Sequence, residues 1–582
     1  MDQATPGLTG FLVSLPTETA ARVRGWPRHE TVGESAVWFH GYLAEPAQLR
    51  AELKLDRLAS FGRIIEAAWR RWRADTAERA IGEYAAVVVS GRDAVMLGDR
   101  MALRPLYCAG GPTGTVVSTD LSALVRETGA WRELDEDYLA DVLSTGLHLG
   151  SRTPYRDIRR LDVGEFATWH ACRLRIRSGW RPTEETAGGS LHDHQELLRA
   201  TVTRSVTGAL SADGARAVEL SGGLDTSTVF AVAAGLAPVH ALSFVHPGDP
   251  ESDETPWIHA ALGTTPASWH PIDATEHGTF TAGPEFDTFL PAPSRRIVNW
   301  APSAAEDAAA TELGAATILT GEGGDAVFFA GLLPWYLADL LRTGRLNQLR
   351  RETLRWSAHS DVRRSSAFWM RRAAVEGLRR WRSGRTLTLQ PPRPITVSAP
   401  WLHRGYVEAR DLQNRTMTTT AIRMPSVHGQ AVLENVLRCA EFARSRHVFP
   451  SAGVEARHPL LTPALVDLAL ATPWGVATDP RIDRAVQRYA FAGIVSETVL
   501  RRRSKSIADQ AMLRGFDRRP QWREYLCDRP RVVERGYVDA AAWDTALRTV
   551  GRTGGVPHLY GAIQVEVWLR HLRHAGVPEL LN

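Results

Sequence analysis

An apolar strand, a glycine turn and the start of a helix meet at Leu220-Ser221-Gly222-Gly223-Leu224-Asp225-Thr226-Ser227. The residue types there suit an anion. Two glycines let the backbone bend tightly and turn its N–H groups toward a ligand, and the helix that follows adds its positive end. Such a turn is a cradle for pyrophosphate. Ser221, Thr226 and Ser227 can donate hydroxyl hydrogen bonds to phosphate oxygens, and Asp225 offers the hard oxygen that magnesium requires. No lysine closes the turn as in G-x-x-x-x-G-K-[ST], which disfavours γ-phosphate transfer of the kinase kind. Taken alone, the same eight residues also suit a plain glycine turn capped by serine.

A second segment, Leu319-Thr320-Gly321-Glu322-Gly323-Gly324-Asp325, again follows an apolar strand and sets two carboxylates beside flexible glycines. At the carboxyl ends of parallel strands both segments face one crevice, where ligands of such sheets bind. Leu220, Ser221, Gly222, Gly223, Asp225, Thr226, Ser227, Thr320 and Gly321 are then the expected ATP contacts. Asp225 and Asp325 are the expected pair on a shared Mg2+. Ser243 and Phe244, ending the next strand, are expected adenine neighbours through their backbone, with plain core as the other reading.

These segments need a scaffold. From Gly10 to about Val125 short apolar runs (Phe11 to Val13, Ala85 to Val89, Ala94 to Leu97) alternate with turn residues and predict packed antiparallel sheet. Helical spacing intervenes at Glu45 to Leu53 and Arg63 to Trp72. From Leu191 onward the order becomes helix, then strand (Ala217 to Leu220), turn and helix (Thr226 to Gly235). Further strands are expected at Ala241 to Val245 and Ala316 to Leu319, with a helix at Trp257 to Leu262, which implies a parallel α/β sheet. After Gly331 the pattern is almost wholly helical, broken by an expected exposed loop from Gln390 to Pro400. The polar stretch Thr183 to Ser190 divides two expected domains, residues 1–190 and 191–582.

Composition narrows the class. A chain of 582 residues exceeds one ordinary core, and 44% hydrophobic with 23% charged residues is that of a globular protein. No apolar run reaches the roughly 18 residues of a membrane span, and no basic-then-apolar leader follows Met1, so the cytoplasm is the expected location. Cys108, Cys172, Cys439 and Cys527 are scattered without a C-x-x-C pair, which suggests neither disulfides nor zinc fingers. The net charge is +4, with basic residues, mostly Arg, bunched from Arg345 to Arg385 and at Arg501, Arg502, Arg503 and Lys505. Such runs are usually solvated helical faces, and nucleic acid is the minority reading.

The paired segments resemble those of the asparagine synthetase superfamily, whose ligase half combines an S-G-G-x-D-S loop with a later G-E-G-x-D. Arg457-His458-Pro459-Leu460-Leu461 resembles its R-x-P-F-L-D stretch, with Thr462 in place of Asp, and Arg484 with Arg488 resembles its K-x-x-L-R helix. Lys505 is similar to the family's late lysine, which implies contact with ATP phosphates and a catalytic role there. In the first half, Gly41-Tyr42-Leu43 to Leu53 and Gly98 to Tyr107 resemble the glutaminase domain's G-x-I-x-N-x-x-x-L and R-D-x-x-G-x-x-P-L-Y segments. The resemblance implies an N-terminal Ntn-hydrolase-like αββα sandwich, then an adenine-nucleotide α-hydrolase-like parallel α/β synthetase domain with a helical C-terminal part.

One departure bears on the reaction. A family glutaminase uses an N-terminal cysteine, whereas Asp2 follows Met1 here and no cysteine precedes Cys108. Without a thiolate no thioester forms, so this domain reads as a degenerate glutaminase and the amine is expected to come from an organic substrate. β-Lactam-forming members resemble the family with Tyr where Glu322 stands. Glu322 disfavours that branch, and Gly324 before Asp325, the long Arg-rich helical tail, the degenerate first domain and the overall length look instead like lasso-peptide cyclases. That resemblance implies adenylation of an Asp or Glu side chain of a leader-cleaved precursor peptide, attack by the peptide's N-terminal amine, and partners in a leader peptidase and a precursor-recognition protein. Glu322 is the expected proton acceptor. Asparagine synthesis from ammonia, small-ring closure and a silent scaffold are the alternatives. Glu254 is a weak further candidate, equally well explained as a helix-start acid after an N-cap Ser252, and His458 reads as a packed histidine.

Overall fold

The computed structural model describes residues 10–574 except 17–23, 28, 112–113, 184–189, 211–213, 264, 266, 287–288, 332–333, 360–364, 384–398, 414–421, 448–452, 504–514 and 550–555. Lys505 and most of the expected Gln390 to Pro400 loop lie outside the described residues.

The first half is built on two antiparallel sheets. Its strands are β1 (Leu12–Pro16), β2 (Arg24–Trp26), β3 (Glu30–Val32), β4 (Ser35–Leu43), β5 (Gly82–Ser90), β6 (Asp93–Gly98), β7 (Tyr107–Gly111), β8 (Gly114–Ser118), β9 (Ile158–Arg160), β10 (Glu165–His170) and β11 (Arg173–Ser178). One sheet runs β2-β1-β8-β7-β9 and the other β11-β10-β6-β5-β4-β3. Period-two patterning puts Val13, Leu15, Val87, Met96 and Val117 into the layer between them. Residues of the opposite parity, Tyr84, Ala86 and Val88, meet Ile64 and Ile65 of the helix Phe61–Trp72 on the outside. The helices Leu121–Thr128 and Glu136–Thr145 cover the other sheet and share a core with Trp568 of the helix Val556–His574. This is the αββα sandwich.

Ser190 then caps the helix Leu191–Ala209 through a reciprocal bond with Asp193. Five parallel strands follow: β12 (Ala215–Glu219), β13 (His240–Val245), β14 (Ser268–Asp273), β15 (Ala315–Leu319) and β16 (Glu455–Arg457), in the order β14-β13-β12-β15-β16. The order reverses between β12 and β15, so the loops that leave these two strands flank the crevice where parallel sheets bind ligands. The helices Leu191–Ala209, Leu224–Leu236, Val427–Ser445 and Pro463–Ala471 bury one face of the sheet, and Trp300–Glu312 covers the other.

Two strands depart from the sequence expectation. β14 lies at an edge and is mostly half-exposed, so it lacks an apolar run. β16 has only three residues and sits in a region expected to be helical; its place comes from pairing with β15, Leu319 opposite Arg457. No helix among the described residues is long and apolar enough to cross a membrane.

Polar links tie the halves together. Arg160 holds both carboxylate oxygens of Glu441 at 3.1 and 2.8 Å, Arg100 reaches Asp467 at 2.6 Å, and Arg444 donates to the Met101 carbonyl at 2.7 Å.

Candidate active site

The loop after β12 is tied from within. The Thr226 hydroxyl accepts from the Ser221 N–H at 3.1 Å and lies 2.9 Å from Ser221 Oγ, so these two hydroxyls brace the turn as well as line it. Gly222 takes a φ of +70°, and a Cβ there would lie 2.7 Å from the Trp257 Cβ. Only glycine lets this loop pack against the helix Thr255–Leu262. Gly223 opens the helix Leu224–Leu236, whose first N–H groups face the crevice without intrahelical partners. Ser227 is fully buried, and its hydroxyl has no partner among the described residues.

Ser243 is likewise buried, donating to the Leu220 carbonyl at 2.6 Å, and so fixes β13 against the loop. Phe244 pairs with Ile272 in the sheet and is half-buried. Thr320 donates its N–H to the Arg457 carbonyl at 3.0 Å, which continues the β15–β16 ladder into the second loop, and its hydroxyl accepts from the Glu322 N–H at 3.2 Å. Gly324 stands against Asp225: a Cβ would meet the carboxylate oxygen at 2.4 Å. The two acidic segments are therefore in direct contact.

Between Asp225 and Asp325 lies a residue that was not among the expected site residues. Arg484 Nη1 is 2.7 Å from each Asp225 oxygen, and its Nη2 bonds Asp325. Arg484 has a φ of +55° at the start of the helix Ala485–Ala490, and Gln487 adds a bond to Asp225 at 3.3 Å. The two carboxylates converge on one cation, so the donor set suits Mg2+ once Arg484 yields its place. The K-x-x-L-R resemblance already marked Arg484, without indicating which partners it meets.

Glu322 is half-buried, and among the described residues its carboxylate has no hydrogen-bond or ion-pair partner. Burial, with Glu219 and Asp325 adding to it, pushes its carboxyl up to about 7, against the opposing pull of His458 and Arg446. A carboxyl near neutrality with a free lone pair can accept a proton from an amine.

Two further arrangements were not foreseen. The true N-cap before Thr255 is Glu254, not Ser252, and the Glu254 carboxylate makes no capping bond. It forms a buried pair with Arg502, whose Nη1 also donates to the Gly222 carbonyl at 3.1 Å. His458 is fully buried but not merely packed, because its Nδ1 lies 3.2 Å from Glu83 of the first half.

Fold and site together define a two-part molecule, an αββα sandwich joined to a parallel α/β half with an acidic, cation-gripping crevice. The family model described as asparagine synthase matches residues 197–570, and one described as a glutamine amidotransferase domain matches residues 25–180. The chain belongs to the asparagine synthase family. It is 24% identical over 255 residues to the glutamine-hydrolyzing asparagine synthetase 3 of Bacillus subtilis (strain 168), a match that spans 39% of this chain and 41% of that protein's length. Two solved structures are similar at 10% identity. They are the allosteric regulatory enzyme of purine biosynthesis (46% of this chain, 75% of that one, TM-score 0.21) and glutamine phosphoribosylpyrophosphate amidotransferase from B. subtilis with ADP and GMP (55% and 85%, TM-score 0.23).

Proposed function

We propose that this chain adenylates a carboxylate of a leader-cleaved peptide with ATP and closes a macrolactam or isopeptide ring with that peptide's own amine, as lasso-peptide cyclases do. The observation that carries the reading is Glu322: an unpaired carboxylate, poised near neutrality, beside the Asp225 and Asp325 pair. In this reading the loop Ser221 to Gly223 and the following helix start hold the phosphates of ATP. Asp225 and Asp325 would hold Mg2+, which screens charge on the departing pyrophosphate. The substrate carboxylate attacks the α-phosphorus, and Lys505 neutralises phosphate charge. The amine then attacks the acyl-adenylate and expels AMP while Glu322 takes its proton.

Cys108 of the first half supports an amine drawn from the substrate. Cys108 is buried on β7, and burial pushes its thiol up to about 11, which is the opposite of an activated nucleophile. A substrate with a free N-terminal amine implies a peptidase acting first, and a recognition protein to deliver the precursor. Membrane and nucleic acid have no part in this reading.

The test is to incubate the full chain with Mg-ATP and a leader-free precursor peptide, scoring AMP release and the loss of one water by mass. Ring closure with stoichiometric AMP supports the reading. Asparagine formed from aspartate and ammonium, with no dehydrated peptide, would replace it.

A further inference from the structure

Behind Glu322, where the two halves meet, three ligand-type side chains converge from separate elements. Glu83 comes from β5, His458 directly follows β16, and His447 lies just past the helix Val427–Ser445. One potential ligand atom from each lies within 4.8 Å of the others. The two imidazoles face each other with ring centroids 5.8 Å apart at 82°. Glu83 is anchored for the purpose, since its Oε1 accepts from the His458 N–H and from the Tyr42 hydroxyl at 3.3 Å. Its other oxygen faces His458 Nδ1 at 3.2 Å.

Two features show that these contacts do not complete the cluster. Nε2 of His458, on a side chain with no exposure, and Nε2 of His447 both lack a hydrogen-bond partner among the described residues. Two orphaned ring nitrogens in one small buried place are costly unless something accepts their lone pairs or N–H groups. Glu83 also has no guanidinium of its own among the described residues. Arg104 pairs with Glu455, and Arg446 with Glu219 and Glu306. A cavity of about 360 Å3, lined by His447, His40, Arg104 and Glu455, adjoins the cluster and can supply water.

We propose that Glu83, His447 and His458 bind a zinc ion that clips the first domain to the ligase half, with water from the adjoining cavity as its fourth ligand. Two imidazoles and a carboxylate with an open position are a zinc donor set, and they suit neither magnesium nor calcium, which take oxygen alone. The Tyr42 hydroxyl on Glu83 holds the carboxylate in place, as outer-shell partners of metal ligands do.

The experiment uses the full chain, expressed without a histidine tag, loaded with zinc and freed of excess by gel filtration. Metal analysis should find about one zinc per chain, and cobalt should give the visible absorption of a four-coordinate site. Chelation should lower Tm by several degrees, restored by zinc and not by magnesium. His447→Ala and Glu83→Gln should carry less than about a tenth of the metal, with Tm equal to that of the chelated parent. Asp225→Asn should keep its zinc, because it disturbs only the crevice. The parent chain binding no zinc, with Tm unmoved by chelator, would leave Glu83 and His458 as a closed ion pair. Zinc retained in His447→Ala, or lost in Asp225→Asn, would place the metal elsewhere and overturn the proposal equally.

Discussion

Arg484 grips both carboxylate oxygens of Asp225 at 2.7 Å, although 259 residues separate them, and with its other nitrogen it bonds Asp325. A fixed guanidinium therefore stands where a dication would have to sit. The two cations compete for one pair of carboxylates. A charge-assisted hydrogen bond of this kind is worth about 1.5–3 kcal/mol. Arg484→Gln should therefore lower the Mg2+ concentration for half-maximal ATP–pyrophosphate exchange by roughly tenfold or more. Asp225→Asn should reduce exchange by at least about a hundredfold. A magnesium midpoint unmoved in Arg484→Gln would show that the ion binds without displacing the arginine.

Glu322 predicts a pH dependence with a definite sign. Burial raises its carboxyl to about 7, and a base acts only in the ionised form, so bond formation should climb through pH 7 and level off above it. Glu322→Gln should slow the amine step by about 10²–10⁴ and abolish that acid limb. Exchange of pyrophosphate into ATP, which needs no amine, should stay within a few-fold. Single-turnover ring closure across pH checks both, and an unchanged acid limb in Glu322→Gln would exclude it as the base.

Much of this arrangement was legible in the chain itself. Apolar strands running into Ser221-Gly222-Gly223 and Gly321-Glu322-Gly323 declare a parallel sheet and the loops at its carboxyl ends, because strand, glycine turn and helix are all local signals. What escaped was non-local. β16 is a strand because β15 offers it a partner, and Arg457, ending it, is no strand signal by type. Glu254 looked like a helix-start acid, yet it pairs with Arg502, 248 residues away. Arg484 and Glu83 likewise acquire their roles from partners that no short window contains.

The junction between the halves should depend on Glu441. Burial opposes its ionisation, but Arg160 and Arg444 outweigh that and hold the carboxyl down at about 2. With the folded value depressed, the stabilisation is complete above the ordinary carboxylate range near 4.5 and is lost as pH falls toward 2. Glu441→Ala leaves two buried guanidiniums without their carboxylate and should cost about 3–5 kcal/mol. Urea unfolding at neutral pH measures the loss. Repeating it near pH 3 should show a smaller gap between parent and variant.

The glycine loop after β12 is held from outside by one guanidinium. Arg502 makes three contacts: it pairs with Glu254, donates to the Gly222 carbonyl at 3.1 Å, and lies over the Trp257 ring at 4.6 Å. Trp257 is also the residue against which Gly222 packs, so one guanidinium fixes both sides of the loop. A lysine keeps the charge but not the fork or the stacking. Arg502→Lys should therefore raise the KM for ATP by about tenfold, with kcat changed only a few-fold. Arg502→Ala strips Glu254 of its guanidinium and should also cost about 3–5 kcal/mol of stability. The double variant Arg502→Met with Glu254→Leu separates the two effects, since replacing a buried ion pair with apolar side chains is often neutral for stability. Stability should return in it while the KM stays high. A KM that recovers together with stability would mean that Arg502 serves the fold and not the loop.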